Sequence, residues 1–326
     1  MAKTRGVDAK LARLQSLRRE SVTPAVIAEL RKVIGDSSNL VVAAAAEIAG
    51  QRNLAELADD LEAAFARFLV DAAETDKVCR AKSAIIVALN QFEHAKEAIY
   101  LTGIRHFQKE PAWGKPVDTA AALRGNCAFA LARLGHRDVL LLLADLLGDE
   151  EKIAREAAAQ ALGATGQSAA IPLLRFKARA GDAEPTVVGE CLKALMTLAP
   201  AESLPFVAEF LKAGDAAIQE EAMFALAESR RAAALPLLRD RWPQARRGSL
   251  IEALLLAISM LRSSDAVEFL VTILAEGTKG ESQAALAALA IHRHSESIRT
   301  RVAATVAARK DAVLEAKFQA KFSAAD

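Results

Sequence analysis

Few side chains in this 326-residue sequence are of types that perform covalent chemistry, and their spacing limits what they could do. Cys79, Cys127 and Cys191 are far apart, with no CxxC pair. A thiol becomes a nucleophile when a nearby cation, imidazole or helix start favours the thiolate. No histidine recurs at helical spacing beside these three, so small buried packing is expected of Cys127 and Cys191. His292 and His294 offer two imidazoles without a third ligand at matching spacing, short of what a zinc site takes. Three acid–base pairs share a six-residue spacing: Asp76 with Lys82, Asp118 with Arg124, and Asp149 with Arg155. As a ladder, Lys82, Arg124 and Arg155 could receive an anionic ligand. As a structural device, each Asp would sit in a turn, accept unpaired N–H groups of a helix start and hold a cation, and this is the expectation. No catalytic triad, glycine-rich phosphate loop or metal cluster is recognisable. The chain is therefore expected not to be an enzyme, with no catalytic residue, cofactor or metal ion.

The elements that must position these residues follow from composition. Alanine dominates, aromatics are 5%, and only 9 Pro and 16 Gly interrupt 326 residues. Alanine is the best helix former and costs least to order, which points to an all-helical, closely packed chain. A 52% hydrophobic content with a net charge of +1 argues against disorder. The same near-neutral charge supplies no field to recruit nucleic acid. The most apolar stretch, residues 139–147, is far shorter than a membrane span and includes Asp145. No apolar segment follows Met1 as a secretory signal would require, and three unpaired cysteines suit a reducing compartment, so a cytoplasmic protein is expected.

One unit repeats along the chain. Leu14, Ile48, Leu89, Leu131, Leu162, Leu195, Leu226, Ile258 and Leu289 fall in register within alanine-rich stretches. Their intervals are 34, 41 and 42 residues, and then 31, 33, 31, 32 and 31. Ten residues after four of these anchors stands a proline: Pro24, Pro172, Pro205 and Pro236. Proline is tolerated in a first helical turn, so each is expected to open a helix A, with the anchor lying on a helix B. One such pair cannot bury both of its apolar faces, so pairs must stack. The expected fold is all-α, a right-handed α-solenoid of about eight helix pairs. It would run over residues 1–326 as one domain, with caps at 1–22 and 311–326 and a loop insertion at 107–118.

The segments EKIAREAAAQALGATGQSAAIPLL and AALRGNCAFALARLGHRDVLLLLADLLGD resemble the HEAT repeat, in particular the short bacterial form named after phycobilisome lyases. That form reads roughly V-R-x-x-A-A-x-A-L-G in helix B, and Ile153-Ala154-Arg155 through Ala161-Leu162-Gly163 fits it. Later units depart from it, with Val188, Gln219 and Ile251 at the arginine position. The resemblance implies a helical solenoid and leaves activity open, since the motif residues are structural. It implies two alternatives to a scaffold role: a bilin lyase-like subunit, and nucleic-acid binding as in HEAT-like DNA glycosylases, which need a basic groove. Iron-binding HEAT-like hydroxylases use His-Glu dipeptides, and this sequence contains none.

In this repeat class helix B lines the concave side. Positions six and two before the anchor and two after it form one stripe at helical spacing. Phe129, Arg133, Gln160, Lys193, Glu220, Phe224, Glu228, Glu252 and Leu256 fall on it, acidic on balance with apolar residues interleaved. Trp113, in the segment FQKEPAWGKPV, is a further contact candidate because solenoid insertions map to loops beside binding faces. Such a surface suits a protein or peptide segment with basic and apolar side chains and is wrong for phosphate backbones. The expected function is a non-enzymatic scaffold that binds a protein partner along its concave surface. It would act as a monomer, without nucleic acid or membrane.

Overall fold

The computed structural model describes residues 2–322, with side chains from residue 6 onward. The outermost parts of both expected caps, Met1 and residues 323–326, lie outside the described residues. The chain divides after Thr165 into two compact units.

The first unit opens with α1 (Ala2–Leu17), followed by four helix pairs. These are α2 (Pro24–Ile34) with α3 (Asn39–Gln51), and α4 (Ala58–Arg67), with the single turn α5 (Ala72–Thr75), against α6 (Arg80–Gln91). Then come α7 (Glu97–Gly103) with α8 (Ala121–Leu134), and α9 (Val139–Leu146) with α10 (Lys152–Ala164). The B helices α1, α3, α6, α8 and α10 pack in succession, each on the next. Pro24 opens α2 at its first position, where Thr23 accepts the N–H of Val26 at 3.3 Å. Gly135 ends α8 in the left-handed region, which glycine enters without a Cβ clash.

The second unit holds four more pairs and a closing pair. They are α11 (Ile171–Ala180) with α12 (Pro185–Leu198), and α13 (Pro200–Phe210) with α14 (Ala216–Glu228). Next, α15 (Ala234–Arg239) and α16 (Trp242–Ala245) face α17 (Ile251–Met260), and α18 (Ser264–Glu276) faces α19 (Lys279–Leu289). Helices α20 (Glu296–Arg309) and α21 (Ala312–Phe322) complete the unit. Here α12, α14, α17, α19 and α21 form the B succession. A capping box starts α19, with Thr278 and Glu281 each accepting the other's backbone N–H.

All nine in-register aliphatic residues are buried, and so are most alanines around them. Small side chains let neighbouring B helices approach closely. A Cβ added to Gly125 on α8 would lie 2.7 Å from the Ala157 Cβ on α10. The all-helical solenoid architecture expected from the repeat is therefore present, with two differences of detail. Pro205 does not open its helix: Pro200 does, and Pro205 sits inside α13 on an exposed face. Its missing N–H leaves one carbonyl facing water, a cost that an exposed position lowers. The insertion at 107–118 is not a plain loop, since β1 (Lys109–Glu110) and β2 (Val117–Asp118) pair antiparallel within it.

Leu195 is fully buried on α12, so Leu195→Ala should lower unfolding stability by about 2–5 kcal/mol. Urea denaturation checks this, with Leu141→Ala, at an exposed position, expected within about 0.5 kcal/mol of the parent.

Candidate functional site

The acid–base pairs resolve into turn architecture. Arg124 is fully buried on α8. It donates to Asp118 at 2.7 Å and, through two nitrogens, to both carboxylate oxygens of Asp149 at 2.8 Å. A further N–H reaches the His106 carbonyl at 3.0 Å, and the Phe107 ring covers the guanidinium at 4.2 Å. Asp118 also accepts the N–H groups of Gln108 and Ala120, both at 3.0 Å. Burial works to raise the Asp118 carboxyl, but these N–H groups and Arg124 outweigh it and hold its pKa below the usual carboxylate range. One repeat earlier, Lys82 is fully buried with Asp76 at 3.0 Å and donates to the Phe68 carbonyl. Asp76 in turn accepts the N–H groups of Ala81 and Lys82 at the start of α6. Arg155 donates to the carbonyls of Asp149 and Glu150, both at 2.9 Å. A basic ladder open to an anion is thus ruled out for Lys82 and Arg124, because burial and paired carboxylates consume both.

The thiols are equally committed to packing. Cys79, Cys127 and Cys191 are buried and free. Burial pushes Cys79 and Cys191 up to about 12, and pushes Cys127 up as well, which removes thiolate at neutral pH. His292 lies 3.2 Å from the Ser259 carbonyl, while His294 accepts from Arg293 at 3.2 Å. Among the described residues no group of three His, Cys, Asp or Glu side chains could hold a metal ion.

The stripe residues fall on the B helices of each unit. In the first unit Phe129 is half-buried on α8, while Arg133 and Gln160 are exposed. Arg133 donates to the His94 carbonyl at 3.0 Å. In the second unit Lys193 on α12 is half-buried, 3.0 Å from Glu190 and 3.9 Å from both Glu221 and Glu228. Burial works against the Lys193 charge, but these carboxylates overcome it and raise its pKa. Glu220, Phe224 and Leu256 are half-buried, and Glu228 and Glu252 are exposed. Gly125 and Gly189, which share the stripe, serve close helix packing: a Cβ on Gly189 would strike the Glu221 side chain. Trp113 stands fully exposed on the hairpin. The hairpin root is tied down, with Glu110 accepting from the Val78 N–H at 2.7 Å, Gln108 at 2.7 Å and Thr119 at 2.8 Å.

Sequence spacing missed Glu190 and Glu221, which lie three residues before Lys193 and Phe224 and so share their face. It also missed Arg246, Lys317 and Lys321. With Glu252 and Leu256 they border a cleft of about 640 Å³ on the B helices α17, α19 and α21. Among the described residues, no helix is long and apolar enough to cross a membrane.

Residues 117–176 match the family model HEAT_2, described as HEAT repeats. That segment, which holds α8, α9, α10 and the start of α11, is thus of the HEAT-repeat type. No curated protein matches the chain. Among solved structures it is similar to the complex of CpcE and CpcF of phycocyanin lyase from Nostoc sp. PCC7120. The identity there is 18%, with 88% of this chain and 94% of that chain covered and a TM-score of 0.38. It is also similar to YIBA_ECOLI, from E. coli, at 15% identity over 85% of this chain and 94% of that one, with a TM-score of 0.47. The first of these corrects the expectation that the chain is not an enzyme. That expectation rested on the lack of a recognisable catalytic constellation, and a lyase complex stands among the similar structures.

Two outcomes follow from this chemistry. A carboxyl held below its unfolded value contributes stability that is fully present above about pH 4 and is lost as pH falls through the folded value. Asp118→Asn should therefore reduce the fall in urea midpoint between pH 5 and pH 3, measured by titration at each pH. The three thiols should react with a thiol reagent only as the chain unfolds; rapid labelling of the native protein would show that a thiol is accessible.

Proposed function

We propose that the chain is a repeat scaffold that binds a protein or peptide partner along its B-helix faces, the concave side in this class of repeat. Phe129, Arg133 and Gln160 contribute from the first unit. Lys193, Glu220, Phe224, Glu228, Glu252 and Leu256 contribute from the second, and Trp113 adds a contact from the hairpin. This reading takes residues 1–326 as one run of repeats. The observation that carries it is the charge around Lys193. That cation is already held by Glu190, Glu221 and Glu228, so the strip beside Phe224 and Leu256 is acidic on balance. Such a strip repels a phosphate backbone and favours basic and apolar side chains. A preshaped helical face also binds at low ordering cost. The buried free thiols support a reducing, cytoplasmic location.

Selection of displayed peptides on the purified chain tests this reading. Enriched peptides should carry Lys or Arg together with apolar residues. The combined Phe129→Ala, Phe224→Ala and Leu256→Ala variant, confirmed folded by its helical circular dichroism, should bind them at least tenfold more weakly. Full retention by that variant overturns the assignment of the face. Binding of DNA with a steep salt dependence, or a lasting absorbance shift on incubation with a bilin, would replace the reading with one of its alternatives.

A further inference from the structure

The cleft at the end of the second unit differs in charge from the strip it continues. Of its α17 residues, Glu252 and Leu256 belong to that strip, while Lys317 and Lys321 line it from α21. Lys317 is bonded at 2.6 Å to the neutral amide oxygen of Gln283, and Lys321 has no carboxylate partner among the described residues. Of the two acids that line the cleft, Glu252 stands on α17 and Glu281 is already taken. The latter is buried, 2.7 Å from Arg246, and accepts the Thr278 N–H at 2.7 Å. Burial works to raise the Glu281 carboxyl, but these partners hold it ionised and fully engaged. Two ammonium groups therefore face a cleft whose floor is Leu256 with the small side chains of Ala284 and Ala288. At about 640 Å³ the cleft is large enough for several side chains of an extended segment.

We propose that this cleft takes an acidic side chain of the bound peptide segment, held by Lys317 and Lys321, with an apolar neighbour seated on Leu256, Ala284 and Ala288. The inference rests on the partner-binding reading above and adds an order to it. On the second unit the segment lays its basic residues over Glu220, Glu228 and Glu252, and its acidic residue against α21. The charge order fixes the direction in which the segment lies, because reversing it would set like charges against each other at both ends. Both lysines are exposed, so changing them leaves the packed core intact.

The test uses the full chain and a random dodecamer library displayed on phage. Against the parent chain, enriched peptides should carry basic residues toward one end and Asp or Glu toward the other. A representative peptide, followed by fluorescence anisotropy, should bind the Lys317→Glu/Lys321→Glu variant at least tenfold more weakly. Replacing the acidic residue of that peptide with Lys should restore binding to the variant and weaken binding to the parent. Enriched peptides that are basic and apolar but lack an acidic residue would overturn this inference and leave the partner-binding reading standing, as would equal binding by the variant. Failure to enrich any peptide above an unrelated helical protein would overturn both.

Discussion

A single buried guanidinium organises the middle of the first unit. Arg124 has no contact with water, so its charge is tolerable only because Asp118, Asp149, the His106 carbonyl and the Phe107 ring enclose it. These partners come from three places: the hairpin after α7, the turn between α9 and α10, and the end of α7. Removing one partner from such a group strands the rest, which costs about 3–5 kcal/mol in comparable buried pairs. The enclosure ties α8 to the turn that opens α10 and to the hairpin that carries Trp113.

The same problem is solved elsewhere with different residues. Lys82 meets Asp76 one repeat earlier. In the second unit Val188 stands at the arginine position, and Asp182 is instead met by Lys177 from helix A at 2.8 Å. Other arginines close turns through carbonyls: Arg52 onto Leu17 and Arg18, Arg67 onto Ile34 and Asp36, and Arg309 onto Ala275 and Gly277. In each case a cation neutralises the carbonyl or carboxylate ends that a helical turn exposes. These cations are thereby committed to holding turns.

The parts of the fold that were legible in the sequence are those set by strict geometric demands. The buried aliphatic position of helix B cannot drift without losing its place in the core, so nine anchors read cleanly. The six-residue spacing of Asp and cation was also legible for Asp76 with Lys82 and Asp118 with Arg124, because a turn and one and a half helical turns fix that distance. Asp149 instead turns its carboxylate to Arg124 and offers Arg155 its carbonyl. Pro205 was misread because proline marks a first turn only when nothing opens the helix earlier, and Pro200 does. The hairpin escaped notice because strands of two residues leave no alternating pattern. At the candidate site, Phe129, Phe224 and Leu256 lie on B helices of their own units and are half-buried, since alternate stripe positions such as Gly125 and Gly189 draw neighbouring helices together. Lys317 and Lys321 were hidden by treating the last helix as a polar cap, where exposed lysines need no explanation. Only the cleft opposite Leu256 gives them one.

This division of labour between turns and faces bears on what the molecule can recognise. The turns bury Lys82 and Arg124 with their carboxylates, and the core buries the three thiols. What remains on the B helices is a set of side chains spared from both duties: acids at helical spacing, half-buried aromatic and aliphatic residues, and two lysines at one end. Helix packing requires small residues at the positions between them, so these longer groups stand at intervals set by the repeat. A ligand that uses them must present its own groups at matching intervals, and an extended chain does so more readily than a compact small molecule. The constraint that closes the core thus also sets the spacing along which a partner would be read.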